Sequence, residues 1–140
     1  MTMSIHVDIV SAEQEIYSGL AEMVFAPAQL GEVGITPRHA PLITMLMPGE
    51  VRVKVNEEEN HAFFVSGGML EVQPHAVTIL ADTAIRAKDI DEAAALEAKA
   101  KAEEELADRT GKIDYARAQA QLAEAIMQLR TLDRLRKRGG

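Results

Sequence analysis

The chain changes character at Lys88. Every Val and every Pro lies before it. After it Ala, Glu, Gln, Lys, Arg and Leu dominate, and Gly occurs only at Gly111 and the last two positions. β-Branched residues favour pleated strands, Pro favours turns, and the second set contains the strongest helix formers. A chain of 140 residues accommodates one compact domain, or a small domain with an appendage. The break therefore predicts a β-domain over residues 1–86 and a helical unit over 87–140, an α+β arrangement.

The first part carries several runs with a period of two. Ile5, Val7 and Ile9 alternate with His6, Asp8 and Val10; Val51, Val53 and Val55 alternate with Arg52 and Lys54. Leu70 and Val72 alternate with Glu71 and Gln73, and Val77 and Ile79 flank Thr78. Such alternation sends one face to a core and the other to water. Turn signals separate the runs at Pro48-Gly49, Asn56 to Asn60, Ser66-Gly67-Gly68 and Pro74-His75. Many short strands at this spacing predict an antiparallel sandwich or barrel. With no Trp and only 4% aromatic residues, its core must come from Val, Ile, Leu, Met and Ala, and Met45, Met47 and Met69 are expected as filler within it.

The second part reads as two helices, over about 89–107 and about 114–137. Asp89 with Glu92 three residues on has the form of a capping box. Asp108-Arg109-Thr110-Gly111-Lys112 breaks the pattern, and Gly111 suits a left-handed turn. The second helix offers an apolar stripe of Tyr115, Ala118, Leu122, Ala125, Ile126, Leu129 and Leu132; the first offers Ala95, Leu96, Ala98, Ala102 and Leu106. A short connection predicts antiparallel pairing. Alanine contacts bury little area each, so strong helices should be weakly docked.

No catalytic constellation is present. The absence of Cys removes disulfides, thiolate chemistry and Cys-ligated metals. His6, His39, His61 and His75 are scattered, with no HExxH pair. There is no GxxxxGK[ST] phosphate loop, no GxGxxG after a strand, and Ser66-Gly67-Gly68 lacks the GxSxG form of a nucleophile elbow. An interaction protein is the better expectation than an enzyme. Met1 to Asp8 lacks the basic start and apolar stretch of a signal peptide. The longest nearly apolar run, Ala40 to Pro48, falls far short of the roughly 20 residues that span a bilayer.

The net charge of −7 is a poor match to nucleic acid. It is also uneven. Residues 1–88 carry a net −6 and residues 89–140 a net −1, yet the last eleven residues hold Arg130, Arg134, Arg136, Lys137 and Arg138 against Asp133 alone. This basic tip is either a cationic helix end complementing the macrodipole or a surface for an acidic partner.

Taken in order, the motifs resemble the epsilon subunit family of F-type ATP synthases. Val10-Ser11-Ala12-Glu13 followed by Tyr17-Ser18-Gly19 is similar to the family's opening. Gly31-Glu32-Val33-Gly34-Ile35-Thr36-Pro37-Arg38-His39-Ala40-Pro41-Leu42 resembles its G-E-x-G-I-x-P-x-H-A-P-L segment. Ser66 to Val72 and Val77 to Asp82 resemble the next two segments; Asp114-Tyr115-Ala116 and Ala125 to Arg130 resemble the second helix. The resemblance covers nearly the whole chain.

It implies a β-sandwich of about ten strands with a two-helix hairpin, in a non-catalytic rotor subunit. The implied partners are the gamma subunit, the c-ring and the α and β subunits, with no obligate homo-oligomer. The implied location is the cytoplasmic face of the bacterial membrane, peripheral and held through the complex. The hairpin is implied to inhibit ATP hydrolysis; the alternative is a purely structural coupling subunit. Glu32 and His39 fall in the segment assigned to the c-ring end, and Arg130, Arg134, Arg136, Lys137 and Arg138 would face an acidic segment of the β subunit. Some members bind ATP through an I/L-D-x-x-R-A motif. Here Ile90, Asp91 and Ala95 remain of it, Ala94 replaces its Arg, and two further arginines fall on Glu124 and Gln128. A triphosphate without guanidinium partners loses its main attraction, so weak or no ATP binding is expected and no cofactor is implied.

Overall fold

The computed structural model describes residues 3–108 and 110–138. Arg109, named above in the break between the helices, lies outside them, as do the two residues at each terminus. Ten strands come first: β1 (Ile5–Val10), β2 (Glu15–Ala21), β3 (Met23–Ala28), β4 (Gly31–Ile35), β5 (Leu42–Leu46), β6 (Gly49–Lys54), β7 (Asn60–Val65), β8 (Gly68–Gln73), β9 (Ala76–Ala81) and β10 (Ala84–Arg86). A 3₁₀ turn over Ala87–Asp89 leads into α1 (Glu92–Ala107) and α2 (Tyr115–Lys137).

The strands pair in the order β10-β7-β6-β3-β5-β8-β9-β1-β2, with β4 on the other edge of β3. A single bridge, Ala28 to Leu46, joins β3 to β5. The sheet folds over there into two layers. The expectation of antiparallel pairing holds except at β1, which runs parallel to β9. Arg86 closes the seam between the two edge strands: its guanidinium donates to the Ile16 carbonyl at 3.0 Å and lies over the Phe63 ring.

The alternating runs face inward as their period requires. Ile5, Val7, Ile9, Val51, Val53, Leu70, Val72, Val77 and Ile79 are all buried in one core with Phe63 and Ile35. Each such side chain contributes roughly 1.5–3 kcal/mol of burial. The methionines do not join them: Met45, Met47 and Met69 are exposed. The β-branched residues fill the narrow space between the layers, and the alternation puts Met45 and Met69 on the outward face of their strands.

The helical hairpin differs from expectation at its entry. Asp91, not Asp89, is the N-cap of α1, accepting from the Ala94 amide at 3.0 Å; Asp89 is spent in the 3₁₀ turn that precedes it. Asp114 caps α2 through the Arg117 amide at 3.1 Å. Gly111 takes the left-handed conformation at φ +76. The seam is narrower than the sequence stripes. Ala95 and Ala102 of α1 are buried, as are Ala118, Ala125 and Leu132 of α2. These positions repeat every seven residues, the spacing that keeps one seam facing a partner helix. Leu96 is half-exposed and Ala98 exposed. Tyr115 is also exposed and donates its hydroxyl to the Asp108 carbonyl across the turn.

Gly68 opens β8 at φ +140, and a Cβ there would sit 2.1 Å from the Leu80 carbonyl oxygen. Backbone conformation and backbone clash act together at this position. Gly68→Ala should lower unfolding stability by about 2 to 4 kcal/mol, read as a reduced urea midpoint.

Candidate interaction surfaces

The two layers present different outer faces. On the layer of β6, β7 and β10, residues that alternation assigns to water are covered. Phe63 points into the sandwich core, while its neighbour Phe64 points outward and is equally buried, packed with Ala87, Ile90 and Leu132. Ala62, Ile85, Met127 and Leu135 flank this second cluster. The cover is therefore the C-terminal half of α2 together with the 3₁₀ turn.

Glu50 sits in the same contact. It stands opposite Phe64 in the β6–β7 register and is 3% exposed. Its Oε2 accepts from the Arg138 guanidinium at 2.9 Å. Its Oε1 lies 3.5 Å from Arg52 Nε and 3.6 Å from Arg134 Nη1, with no hydrogen bond of its own. A buried carboxylate requires cationic partners, and three arginines supply them. Arg52 extends the network outward, donating to Glu32 at 3.0 Å and covering the Phe25 ring at 4.1 Å.

The basic tip of the sequence is thus largely engaged within the chain. Arg134 and Arg138 meet Glu50, Arg136 donates to Glu92 at the start of α1, and Lys137 pairs with Asp133 at 3.0 Å. The hydrogen bond from Arg136 holds the Glu92 carboxyl below the usual carboxylate range. Among the described residues Arg130 has only the Met127 sulfur, at 4.0 Å. Glu50 and the apolar positions Phe64, Met127 and Leu135 were not singled out by sequence reasoning. The adjacent pair Phe63-Phe64, which breaks the period of two, was the available signal.

Glu32 and His39 are not brought together. Glu32 lies beside the β3–β4 turn, opposite Pro27, and Leu30 at that turn is fully exposed. His39 lies beyond the far end of β4, where the neighbouring Arg38 amide bonds the Pro74 carbonyl. The ring Nδ1 of His39 donates to the Ala40 carbonyl at 2.7 Å.

The opposite layer carries an uncovered apolar face. Met45 of β5 pairs in register with Met69 of β8, and Met69 pairs with Leu80 of β9. All three are exposed, as is Ile43 two residues before Met45. A contiguous exposed apolar row of this kind marks a protein contact.

Between the helices lies a cavity of about 290 Å³ lined by Ala98, Lys101, Gln121, Glu124, Ala125 and Gln128. Its lining holds one cation, Lys101, and one carboxylate, Glu124. Ile90 is committed to the cluster under α2, Asp91 to the helix cap and Ala95 to the seam. Among the described residues no group of three or more His, Cys, Asp or Glu could hold a metal, and no helix is long and apolar enough to cross a membrane.

Comparison with known proteins agrees over the whole chain. Residues 4–87 match the family model of the ATP synthase Delta/Epsilon chain β-sandwich domain, and residues 88–133 match that of its long α-helix domain. The ATP synthase epsilon chain of Nitrosococcus oceani is 67% identical over 140 residues, covering 100% of both chains. ATP synthase epsilon chain 1 of Methylococcus capsulatus is 68% identical over 137 residues, covering 98% of each. A chain in the mitochondrial ATP synthase of Euglena gracilis, solved as OSCP, F1 and c-ring, shares the fold at a TM-score of 0.82 and 18% identity, covering 92% of this chain and 81% of that one.

Proposed function

The chain belongs to the epsilon family of bacterial F-type ATP synthases, subunits of the central stalk, and from that premise we propose that it couples rotation and restrains hydrolysis without catalysing either. The carrying observation is the division of labour between the two sheet faces. One is covered by the chain's own helix; the other exposes Ile43, Met45, Met69 and Leu80 in a connected row. The gamma subunit is the partner we assign to that row. An apolar surface of this extent is stabilised only by a partner that covers it.

Rotation needs a second contact at one end of the sandwich. Glu32 and the exposed Leu30 at the β3–β4 turn form a tip with a carboxylate and an apolar side chain, suited to a polar loop of the c-ring. Of the two residues first assigned to that end, Glu32 is the one we retain, because His39 lies at the other end of β4. The chain then sits peripherally on the cytoplasmic face of the membrane, held there through the complex. The C-terminal hairpin supplies the restraint on hydrolysis: Arg130, Arg134, Arg136, Lys137 and Arg138 would meet an acidic segment of the β subunit once α2 leaves the sandwich. The interhelical cavity, whose lining offers one lysine, Lys101, and a carboxylate, Glu124, gives ATP no guanidinium cradle. The hairpin therefore acts without sensing nucleotide.

Three measurements test these parts. Met69→Lys combined with Leu80→Glu, opposite charges at facing positions of the register, should lower co-purification with gamma by roughly tenfold. The same pair should shift the chain's own stability by only about 0.5 kcal/mol, since both side chains are exposed; unaltered assembly would remove the gamma assignment. Deleting residues 89–140 should raise ATP hydrolysis by the assembled enzyme about fivefold. An unchanged rate leaves only the coupling role. Titration calorimetry of the full chain with Mg-ATP should show no saturable heat, and a micromolar affinity would overturn the reading of the hairpin.

A further inference from the structure

We propose that Glu50 is an internal decoy carboxylate: it holds the basic end of α2 on the sandwich, and an acidic partner surface must compete with it for Arg134 and Arg138. The docking half of this statement is a property of the chain alone. The competition half rests on the inhibitory reading above.

Glu50 is the one charged side chain buried among the described residues. Its burial is made by α2. It stands on the outward face of β6, on the same side as Arg52, and without the helix that face would be open to water. Release of the helix therefore returns the carboxylate to solvent and leaves no stranded buried charge. This distinguishes the contact from an ion pair in a permanent core, where losing one partner is strongly destabilising. The carboxylate and its cations can part and meet again.

The cations decide the sign. Arg52, Arg134 and Arg138 converge on Glu50 at 3.5, 3.6 and 2.9 Å. With the carboxylate neutralised, three guanidiniums would face one another, offset only by Glu32 on the outer side of Arg52. Like charges at this separation repel, so loss of the Glu50 charge favours the released helix. The apolar part of the contact is small, chiefly Met127, Leu132 and Leu135 of α2 on Phe64 and its neighbours. A modest electrostatic contribution consequently has leverage over the equilibrium. Arg134 and Arg138 are also 48% and 42% exposed at their side chains, so salt should screen the contact.

A carboxylate beside two arginines on one turn of a helix is the chemistry that an acidic segment of another protein would offer to the same residues. Glu50 presents it intramolecularly. The docked state thereby masks two of the five cations of the basic tip. Arg136 and Lys137 are held in turn by Glu92 and Asp133.

The chain has no cysteine, so two spin labels can be placed uniquely in the full-length protein, at Glu58→Cys on the β6–β7 turn and at Ala123→Cys on the exposed side of α2. Pulsed dipolar spectroscopy then reads the docked and released populations. Glu50→Gln should raise the ratio of released to docked chain by roughly threefold or more. Arg138→Gln, at an exposed chain end, should act alike. The two together should give less than the product of their separate effects. Salt at about 1 M, where the Debye length is about 3 Å, should reproduce the shift in the unsubstituted protein. Unchanged populations in Glu50→Gln, or a shift toward docking, overturn the proposal. In the assembled enzyme Glu50→Gln should inhibit hydrolysis more strongly than the unsubstituted chain. If the populations move and inhibition does not, competition is overturned and the docking role of Glu50 stands.

Discussion

The structure depends on a strand that is apolar on both faces. In β7, Phe63 fills the space between the two layers and Phe64 points the other way, and both are almost wholly buried. An antiparallel sheet normally leaves one face to water. A buried aromatic on the outer face requires a second cover, and the C-terminal half of α2 provides it, with Leu132 on Phe64, Ala87 and Ile90. The position of the hairpin follows from that one contact. So does the burial of Glu50, which stands opposite Phe64 and would otherwise be a solvated residue on a sheet surface. The layer that lacks such a cover keeps its apolar row exposed, and its contacts must come from outside the chain.

Most of the sandwich was legible because its physics is local. Alternation in Ile5 to Val10, Val51 to Val55, Leu70 to Gln73 and Val77 to Ile79 reports a half-buried sheet directly, and each run faces the core as its period demands. Gly111 was readable for a similar reason: a polar break between two helix-forming segments calls for a residue that accepts positive φ. What was not legible is set by pairing across long sequence separations. Glu50 and Arg138 are 88 positions apart, and nothing local distinguishes Glu50 from any outward-facing carboxylate. The methionines were misplaced by treating size and polarity as sufficient. Met45 and Met69 occupy the phase of the alternation that points outward, and phase decides burial on a strand. The shift of the helix cap from Asp89 to Asp91 is of the same kind. Two aspartates two residues apart offer equivalent chemistry, and the 3₁₀ turn selects the second.

The hairpin combines a firm seam with a weak seat. Ala95, Ala102, Ala118 and Ala125 allow close approach of the two helices along a seven-residue repeat, and both helices have side-chain caps. Intrinsic propensity supports each helix independently of the sandwich. The seat, by contrast, has three larger apolar side chains of α2 and a half-exposed set of arginines. What holds the two segments as helices is therefore distinct from what holds them on the sheet, which is the property the proposed release requires.

This separation explains why the charges are distributed as they are. A seat made larger and wholly apolar would hold the hairpin more tightly, and the same surface, once released, would be a persistent aggregation hazard. A carboxylate buried under the helix avoids both outcomes. Docked, it is matched by guanidiniums; released, it is hydrated, and it keeps the outer face of β6 polar beside Arg52 and Lys54. The cost of burying Glu50 lowers the stability of the docked state, while the arginines that offset that cost are the groups an outside acidic surface would seek. On the proposal above, the same arginines serve both the docked and the released state. Their balance is then set by whichever carboxylate, internal or external, meets Arg134 and Arg138 on better terms.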